Sequence, residues 1–381
     1  MPIVKFAGTG TTDRVRPIFD DRVLAFLSDW HDALRCDAEA KTYTELMAFA
    51  FWIRPQRLRV ARTQYAGERR YGRGIAFHIA PGNVPMNALY TFVFGLLSGT
   101  PNRVRLPSKE TPALECALRI LHKTLENYPD IAEENLLMRY PHDEDVTRAF
   151  SAEARVRVIW GGDDTIRTIE KAPLPVRSVE IKFADRVSLA VVGDDYLTYP
   201  EEKRAELARH FYNDTYLSDG LACSSPAVVA FVGTREETVR TFFEALAPFA
   251  AEYPADGVRT VGRLTALYAH LAKTGEEVLY ENRNLVVARA DAPDPDTYRG
   301  KFGLFYAVIV PDLDALEPYL TTRVQTVLYT GMDDSGLAKC VAKGVPGVDR
   351  IVPFGHALEM DFHWDGYDMI RTMSRFVEVM E

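Results

Sequence analysis

The feature that most constrains the fold is an alternation of short apolar strands and helices between residues 74 and 127. A strand that starts at Gly74 ends in the segment 81–85, and an apolar helix is predicted at 86–97. A second strand, 102–106, and a second helix then follow. Strand, crossover helix and strand in this order form a βαβ unit, which implies parallel pairing and right-handed winding. The chain therefore predicts an α/β fold with parallel sheets.

The alternation continues with a strand at 155–160 that runs into the pair Gly161 and Gly162 and then into a helix. In open parallel sheets, ligands bind at the carboxyl ends of the strands, where these glycines and the segments 81–85 and 107–112 are expected. A glycine pair there lets a cofactor phosphate approach the backbone, although such a pair is more often only a turn. The chain has no GxGxxG motif, so the ordinary dinucleotide fingerprint is absent.

Cys223 stands in a turn of small residues between a predicted helix and a predicted strand. The helix starts after Pro200 and runs into a break at Asp219 and Gly220, and the strand covers 227–232. A cysteine at such a junction is held rigidly and can still face a cleft, as a reactive thiol requires. We interpret Cys223 as a nucleophile. On these residues alone an inert buried thiol remains open, because free cysteine is among the most buried residue types.

Composition excludes several classes of protein. The 381 residues carry a formal net charge of −9, which argues against a general binder of nucleic acid. The cysteines show no CxxC or Cys/His spacing, so neither a disulfide framework nor a metal site is indicated, and a reducing cytoplasm fits best. No signal-peptide pattern opens the chain. The longest apolar run, 88–97, has half of the ~20 residues that a membrane span needs.

The order of these parts resembles the aldehyde dehydrogenase superfamily, whose cofactor fold lacks the usual glycine fingerprint. Within it, six motifs are similar to those of LuxC-type acyl-CoA reductases, which include the fatty-acid reductase of bacterial luminescence. The resemblance runs from about residue 70 to the end of the chain. The six motifs are His78-Ile-Ala-Pro-Gly-Asn-Val-Pro85, Arg103-Val-Arg-Leu-Pro-Ser-Lys109, Trp160-Gly-Gly-Asp163, Leu221-Ala-Cys-Ser-Ser-Pro226, Gly347-Val-Asp-Arg-Ile-Val-Pro353 and Trp364-Asp-Gly-Tyr-Asp368.

The resemblance implies an aldehyde dehydrogenase-like fold of two Rossmann-type α/β lobes with parallel sheets and an N-terminal helical segment. We expect an NADP(H)-binding lobe with the N-terminal helices at 1–185 and a catalytic lobe carrying Cys223 at 186–346. A C-terminal segment, 347–381, is expected to return to the cofactor lobe and to end in a helix at 369–380. The superfamily usually assembles as dimers or larger, so a homodimer is expected.

The resemblance also implies roles for single residues. Cys223 matches the nucleophile that holds the acyl group as a thioester. Asn83 matches the asparagine whose amide, with the backbone N–H of Cys223, stabilises the oxyanion. A turn-forming asparagine between two prolines is the alternative for Asn83. The further cofactor-binding candidates are Pro81, Gly82, Arg105, Ser108, Lys109, Gly161, Gly162 and Thr165.

Two departures from the oxidising dehydrogenases bear on the chemistry. Lys109 stands where those enzymes place a glutamate in the ribose turn, and Arg105 is nearby on the same strand. Positive charge there favours the 2′-phosphate of NADPH, unless both are solvated surface cations. At the position of the general base a loose alignment places Lys182, with Glu180 two residues away. Without a carboxylate near Cys223, attack by water on the thioacyl enzyme is not assisted.

These observations predict NADPH-dependent reduction of an acyl thioester to an aldehyde through a thioacyl enzyme on Cys223. The acyl donor would be an acyl-CoA, or an acyl carrier or acyl-synthetase partner. Two alternatives remain: an NAD(P)-dependent aldehyde dehydrogenase that works oxidatively, and a non-catalytic acyl-binding subunit of a biosynthetic complex. Neither a metal nor a nucleic acid nor a membrane span enters any of these readings.

Overall fold

The computed structural model describes residues 3–275 and 277–380, which form two compact units. The first unit contains the residues up to Ala184 and those from Phe362 onward, and the second contains Asp185–Asp361. Each unit is built around its own sheet.

The first unit contains seven strands before residue 184, and six of them form one sheet. The strands are β1 (Val4–Gly8), β2 (Arg70–Gly72), β3 (Ala76–Ile79), β4 (Asn102–Arg105), β5 (Leu136–Arg139), β6 (Val156–Trp160) and β7 (Val179–Phe183). The sheet order is β1-β5-β4-β3-β6-β7. All neighbours in it are parallel except β1, which pairs with β5 antiparallel.

The described residues before 184 also form eight α-helices and a short 3-10 helix at Ala40–Thr42. The α-helices are α1 (Asp21–Cys36), α2 (Thr44–Trp52), α3 (Pro55–Gln64), α4 (Asn87–Leu97), α5 (Pro112–Leu125), α6 (Pro129–Glu134), α7 (Glu144–Glu153) and α8 (Asp163–Glu170). Every residue of β3, β4 and β6 is buried. Burial on both faces is typical of parallel sheets that helices cover on each side.

A buried polar network ties the centre of this sheet to α4. His78 on β3 lies 2.7 Å from Thr91 Oγ1 and 2.9 Å from Asn102 Oδ1. Asn102 Nδ2 donates to the carbonyl oxygen of Thr100 and to Asn135 Oδ1, so Asn102 Oδ1 is an acceptor. His78 therefore carries its proton on Nε2 and accepts from Thr91 at Nδ1. Burial lowers the pKa of His78 to about 4, so the ring is neutral at pH 7.

The second unit is built on a seven-stranded sheet with the order β10-β11-β12-β9-β8-β13-β14. Only β10, at an edge, runs antiparallel to its neighbour. Alternate residues of the inner strand β8 belong to different hydrophobic clusters, so both faces of the sheet are covered. The strands are β8 (Val187–Val192), β9 (Val228–Val232), β10 (Val278–Glu281), β11 (Val286–Arg289), β12 (Leu304–Val310), β13 (Val324–Thr330) and β14 (Arg350–Pro353).

The helices of the second unit lie between these strands in the chain. They are α9 (Glu201–Thr215), α10 (Glu236–Ala251), α11 (Gly257–Thr274) and α12 (Ser335–Ala342), with 3-10 helices at Asp194–Thr198, Tyr216–Ser218 and Asp314–Tyr319. Tyr212, Tyr216 and Phe231 are buried in the core. Within the part of the chain that the structure describes, no helix is long and apolar enough to cross a membrane.

The C-terminal residues add four short elements to the first unit: β15 (His363–Trp364), β16 (Tyr367–Asp368), α13 (Met369–Met373) and β17 (Ser374–Phe376). The predicted helix at 369–380 is therefore wrong beyond Met373. β17 pairs antiparallel with β2, about 300 residues earlier in the chain, and this pairing overrides the local helical pattern. Residues 347–361 of the predicted C-terminal segment lie in the second unit, because β14 pairs with β13 there.

The predicted α/β class is confirmed: both units carry mainly parallel sheets, and helices α1 and α2 stand near the N-terminus.

Candidate active-site residues

The cofactor candidates and Asn83 gather at one edge of the first sheet. The segment 81–85 follows β3, Ser108 and Lys109 follow β4, and the pair Gly161 and Gly162 follows β6. These three strands are parallel neighbours in the order β4-β3-β6. Their carboxyl ends therefore share one edge of the sheet, where parallel α/β folds bind ligands.

Asn83 is exposed in the loop between β3 and α4, whereas Pro81 is buried beneath it. The loop closes with a hydrogen bond of 3.0 Å from the backbone N–H of Asn87 to the carbonyl oxygen of Val84. Among the described residues, none forms a hydrogen bond with the Asn83 side chain, as a turn stabilised by asparagine would require. The Asn83 amide is thus available to a ligand.

Two of the three glycines at this edge, Gly82 and Gly162, leave open space above the backbone. A Cβ atom on Gly82 or Gly162 would meet no atom within 4 Å, whereas one on Gly161 would come within 3.0 Å of Thr165 Cγ2. Gly162 is the N-cap of α8, and Thr165 is exposed in the first turn of that helix. Backbone N–H groups at the start of a helix suit a phosphate group. These residues fit a nucleotide cofactor.

Arg105 is the most unusual side chain of this edge, because it is only 8% exposed and yet pairs with no carboxylate among the described residues. Its Nη2 lies 3.4 Å from His142 Nδ1, and its guanidinium lies 4.7 Å from the ring centre of Tyr140. Its Nε is buried with no hydrogen-bond partner. A buried cation without a counter-ion is costly and suits a site for an anion. Lys109 is exposed.

His142 and Tyr140 did not emerge from the sequence. Both follow β5, the neighbour of β4 in the sheet. The only signal that could have found them is their position after a strand, and β5 itself was not predicted.

The residues at the expected general-base position are both engaged in ion pairs. Glu180 Oε1 lies 2.6 Å from Nε of Arg157, a guanidinium that is 2% exposed. Lys182 Nζ lies 2.7 Å from Glu170 Oε1. The carboxylate of Glu180 therefore neutralises the buried Arg157, which is a structural role and not that of a general base.

Cys223 belongs to the second unit and lies in the loop that enters β9. It is partly exposed, whereas Ser224 and Ser225 after it are buried. Ser188 Oγ, from β8, donates a hydrogen bond of 2.7 Å to the carbonyl oxygen of Cys223. Ser225 Oγ donates one of 2.6 Å to the carbonyl oxygen of Asp214 on α9. We call residues 221–227 the nucleophile loop; it is anchored at Cys223 itself and at Ser225.

The chain reverses just before this loop through two residues with positive φ, Asp219 at 58° and Gly220 at 69°. Asp219 is held by the Tyr253 hydroxyl, which donates at 2.6 Å, and by the guanidinium of Arg259 at 3.0 Å. The break predicted at these two residues is thus present, and side-chain bonds fix it.

A carboxyl group of α9, Asp214, is 1% exposed and accepts hydrogen bonds from the backbone N–H groups of Gly355, at 2.6 Å, and Ala357, at 2.9 Å. Burial raises its pKa to about 6. Both of its oxygens bind backbone groups, so Asp214 joins α9 to the segment after β14.

Arg350, at the start of β14, is a cation that interacts electrostatically with Cys223. Burial lowers the pKa of Arg350, and electrostatic attraction to Asp361, Glu359 and Cys223 opposes that shift. Its guanidinium donates to the carbonyl oxygens of His356, Ala357 and Glu359. A neighbouring cation favours the thiolate form of a cysteine. Arg350 lies within a motif noted in the sequence, but its proximity to Cys223 was not anticipated.

Comparison with known proteins shows the family. The family model described as acyl-CoA reductase (LuxC) matches residues 54–259, more than half of the chain. The chain belongs to this family. The long-chain acyl-protein thioester reductase of Vibrio harveyi is 22% identical over 321 residues, which make up 81% of this chain and 64% of that protein. The chain thus spans less than two thirds of the length of this relative.

Solved structures of aldehyde dehydrogenases share the fold. Gamma-glutamyl-gamma-aminobutyraldehyde dehydrogenase from Burkholderia cenocepacia aligns with a TM-score of 0.69 at 12% identity, over 94% of this chain and 84% of that one. Lactaldehyde dehydrogenase from Escherichia coli aligns with a TM-score of 0.67 at 13% identity, over 94% and 85%. The predicted aldehyde dehydrogenase-like fold and the resemblance to LuxC-type reductases are therefore confirmed.

Proposed function

We propose that this protein reduces an acyl thioester to an aldehyde with NADPH, through an acyl group held on Cys223. The observation that carries the proposal is the partly exposed Cys223, on a loop anchored by Ser188, with the Arg350 cation nearby. Membership of the acyl-CoA reductase family supports the proposal, as does a relative named as an acyl-protein thioester reductase.

Cys223 acts as the nucleophile. Its thiolate attacks the carbonyl carbon of the thioester, the carbon–sulfur bond to the donor thiol breaks, and the departing thiolate takes up a proton. The acyl group is then a thioester of Cys223. Arg350 stabilises the thiolate before attack by electrostatic attraction. The backbone N–H of Cys223 would donate to the oxyanion, and the resemblance to the superfamily assigns the Asn83 amide the same role, which is worth about 3 to 4 kcal/mol in other acyl-transfer sites.

The first unit would hold the cofactor through the edge formed by β3, β4 and β6. Arg105 and Lys109 bind the 2′-phosphate, Ser108 the ribose, and the backbone at Pro81, Gly82, Gly161, Gly162 and Thr165 the rest of the nucleotide. When bound, NADPH supplies the hydride that reduces the acyl carbon. Cys223 then leaves as a thiolate while the aldehyde carbonyl forms. Arg105 is buried and pairs with no carboxylate in the part of the chain that the structure describes, which supports a preference for NADPH over NADH.

Residues 1–185 would serve as the NADP(H)-binding lobe and 186–346 as the catalytic lobe, in a cytoplasmic homodimer. A particle of about 43 kDa in light scattering, the mass of one chain, would contradict the dimer. The acyl donor would be an acyl-CoA, or an acyl group presented by a carrier or synthetase partner.

Intact-protein mass spectrometry tests the reaction. The wild type, Cys223→Ala and Cys36→Ala are each incubated with acyl-CoAs of varied length. Cys36 is the matched control, because it is the exposed cysteine elsewhere in the chain. We expect an acyl adduct on the wild type and on Cys36→Ala, which NADPH then removes with release of aldehyde. An adduct that persists in Cys223→Ala would contradict the assignment.

Assays with the same protein variants separate the reductase from the two alternative functions. An oxidative aldehyde dehydrogenase would form NADPH from aldehyde and NADP⁺ with no thiol acceptor. A non-catalytic subunit would bind acyl groups without a covalent adduct. The engagement of Glu180 by Arg157 speaks against assisted hydrolysis and so favours the reductive reaction.

A further inference from the structure

Asp214, near the end of α9, contacts both the nucleophile loop and the segment after β14. Its carbonyl oxygen accepts the hydrogen bond of 2.6 Å from Ser225 Oγ, two residues after Cys223. Its carboxylate accepts from the backbone N–H of Gly355 at Oδ2, at 2.6 Å, and from that of Ala357 at Oδ1, at 2.9 Å. One residue therefore fixes the loop that carries the thiol and a second segment far along the chain.

The segment after β14 in turn holds the guanidinium of Arg350. We call residues 354–359 the β14 turn. Three carbonyl oxygens of this turn accept hydrogen bonds from the guanidinium: those of His356 at 3.1 Å, Ala357 at 3.1 Å and Glu359 at 3.2 Å. The position of the cation therefore depends on the conformation of the turn.

One peptide group of the turn connects the two charges directly. The peptide between His356 and Ala357 accepts from Arg350 at its carbonyl oxygen and donates to Asp214 at its N–H. Hydrogen bonds in such a chain polarise one another, and a buried chain gains most from being complete. The carboxylate of Asp214 and the guanidinium of Arg350 therefore hold the same peptide plane from its two ends.

The β14 turn packs closely on α9. Gly355 has φ of 96°, in the left-handed region that favours glycine. A Cβ atom at this position would lie 3.0 Å from Cγ of His210, which is one helical turn before Asp214 on the same face of α9. The turn thus has room for hydrogen only at residue 355, and α9 determines where the turn lies.

Electrostatic attraction acts between Arg350 and both Cys223 and Asp214. A neighbouring cation favours the thiolate form of a cysteine, and the attraction weakens as the two charges move apart. The side chain of Arg350 is long and has many rotamers, so the guanidinium keeps one position only while its acceptors keep theirs. Those acceptors belong to the β14 turn, which Asp214 holds through the backbone N–H groups.

We propose that Asp214 is a positioning residue for the nucleophile: its carboxylate holds the β14 turn so that the guanidinium of Arg350 stabilises the thiolate of Cys223. Asp214 acts through Arg350 and takes no part in bond making. When Asp214 is protonated, one of its oxygens becomes a donor, and one N–H of the turn loses its acceptor. The inference rests on the proposed function only for the role of Cys223 as the nucleophile.

Alkylation by iodoacetamide tests the inference without an acyl substrate, because the thiolate is the form that displaces iodide. Mass spectrometry of the peptide that contains Cys223 gives the rate. Since a close opposite charge shifts such an equilibrium about tenfold or more, we expect Asp214→Asn to alkylate about tenfold more slowly at pH 7. Cys36, which is exposed in the first unit, is the internal control and should react at the wild-type rate.

Two further variants separate positioning from loss of stability. Glu134→Gln is the matched control, because Glu134 is 4% exposed, pairs with Arg16 in the first unit and has a pKa that burial raises. It should leave alkylation of Cys223 unchanged. Gly355→Ala disturbs the β14 turn from the other side and should reproduce the slow alkylation, even if Asp214→Asn fails to fold. Wild-type rates in Gly355→Ala, or an equal loss in Glu134→Gln, would overturn the inference.

A double-mutant cycle tests whether Asp214 acts through Arg350. Arg350→Gln should slow alkylation of Cys223 at least as much as Asp214→Asn does. If the carboxylate only positions the guanidinium, the double variant should react at the rate of Arg350→Gln alone. Losses that multiply in the double variant would show that Asp214 acts by another route and would overturn the inference.

The pH dependence of alkylation gives a readout that a merely structural role would not change. Burial raises the pKa of Asp214 to about 6. Below that pH the logarithm of the wild-type rate should fall by more than one unit per pH unit, because the thiolate and the carboxylate both take up protons. In Asp214→Asn we expect a slope of one throughout. A steeper slope that persists in Asp214→Asn would contradict the inference.

Other titratable and charged groups surround Asp214: His210 on α9, His356 and Glu359 in the β14 turn, and Arg350. Histidine side chains commonly titrate between pH 5 and 8, so His210→Gln and His356→Gln are the controls for the pH profile. Both variants should keep the steeper slope below pH 6. Its loss in either one would assign the titration to that histidine and reject Asp214.

The alkylation and acylation results can fail separately. The expected alkylation rates in a wild type that reduces no thioester would support the positioning role and reject the proposed function. Equal alkylation rates in all variants, together with normal acylation of Cys223 in the wild type, would reject the positioning role alone.

Discussion

Ser188 Oγ and the carbonyl oxygen of Cys223 lie 2.7 Å apart, so the start of strand β8 holds the loop that carries the nucleophile. Ser188 is 2% exposed, and its hydrogen bond is directional. It joins two segments that are 35 residues apart and fixes the peptide bond next to the thiol. The orientation of Cys223 therefore depends on a side chain that touches no substrate.

Ser188→Ala should slow acylation of Cys223 about tenfold, because the loop loses its anchor, and should lower the free energy of unfolding by about 1 kcal/mol. Single-turnover acylation followed by mass spectrometry measures the first effect. Ser178→Ala is the matched control, since Ser178 Oγ donates a comparable bond of 2.9 Å to the carbonyl oxygen of Ala154 in the first unit. Equal acylation rates in the two variants would refute the positioning role of Ser188.

Asn83→Ala should lower the rate of acylation by about 10²–10³, because it removes one donor to the oxyanion. The exposed side chain holds no other residue among those described, so we expect the melting temperature to change little. Asn87→Ala, at the start of α4, controls for a general effect on the loop. Full activity in Asn83→Ala would show that the asparagine only shapes its turn.

Lys109→Glu should reverse the preference between cofactors, because a carboxylate repels the 2′-phosphate and can accept from a ribose hydroxyl. We expect KM for NADPH to rise at least tenfold and KM for NADH to fall. Lys123→Glu, an equal charge change on the exposed face of α5, should alter neither value by more than twofold. If the KM values changed equally in Lys109→Glu and Lys123→Glu, the cause would be only a long-range electrostatic effect.

His78 should make the first unit sensitive to acid. Its pKa is about 4 in the folded state and 6.5 in the unfolded chain, so only the unfolded state binds a proton between these values. The free energy of unfolding therefore falls as the pH drops from 6.5 to 4, by about 3 kcal/mol in total, and this contribution is constant outside that window.

Urea unfolding followed by tryptophan fluorescence measures this effect, because Trp30, Trp52, Trp160 and Trp364 all lie in the first unit. His78→Gln lacks the titrating ring, so its free energy of unfolding should depend less steeply on pH in that range. An identical pH dependence in the wild type and His78→Gln would exclude His78 as the cause.

Gly95→Ala should destabilise the first unit by several kcal/mol, in the upper range of single substitutions. A Cβ atom at position 95 of α4 would lie 1.7 Å from Asn102 Oδ1, the acceptor that His78 uses. The polar network around His78 and helix α4 therefore cannot both keep their positions in the variant. Gly162→Ala is the control, because its Cβ would meet open space. Equal melting temperatures for the two variants would contradict this reading of the network.

Local patterns predicted the central elements well, because strands β3, β4 and β6 are short extended segments that alternate with helices whose ends are clear in the sequence. The break at Asp219 and Gly220 was likewise predicted from the residues themselves. The strands β1, β5 and β17 were not predicted from the sequence. β17 exists only because β2 pairs with it, and no local window contains both partners.

The sequence alone determined the α/β class, the family motifs, the candidates Cys223 and Asn83 and the expected edge of the first sheet, because these depend on local periodicity and on motif order. Tertiary structure decided which charges are buried or neutralised. It brought Ser188 and Arg350 to Cys223, engaged Glu180 with Arg157, and left Arg105 with no carboxylate among the described residues. These outcomes follow from contacts between residues that are distant in the chain. Their energies depend on burial, which is a property of the folded structure and not of the residue type.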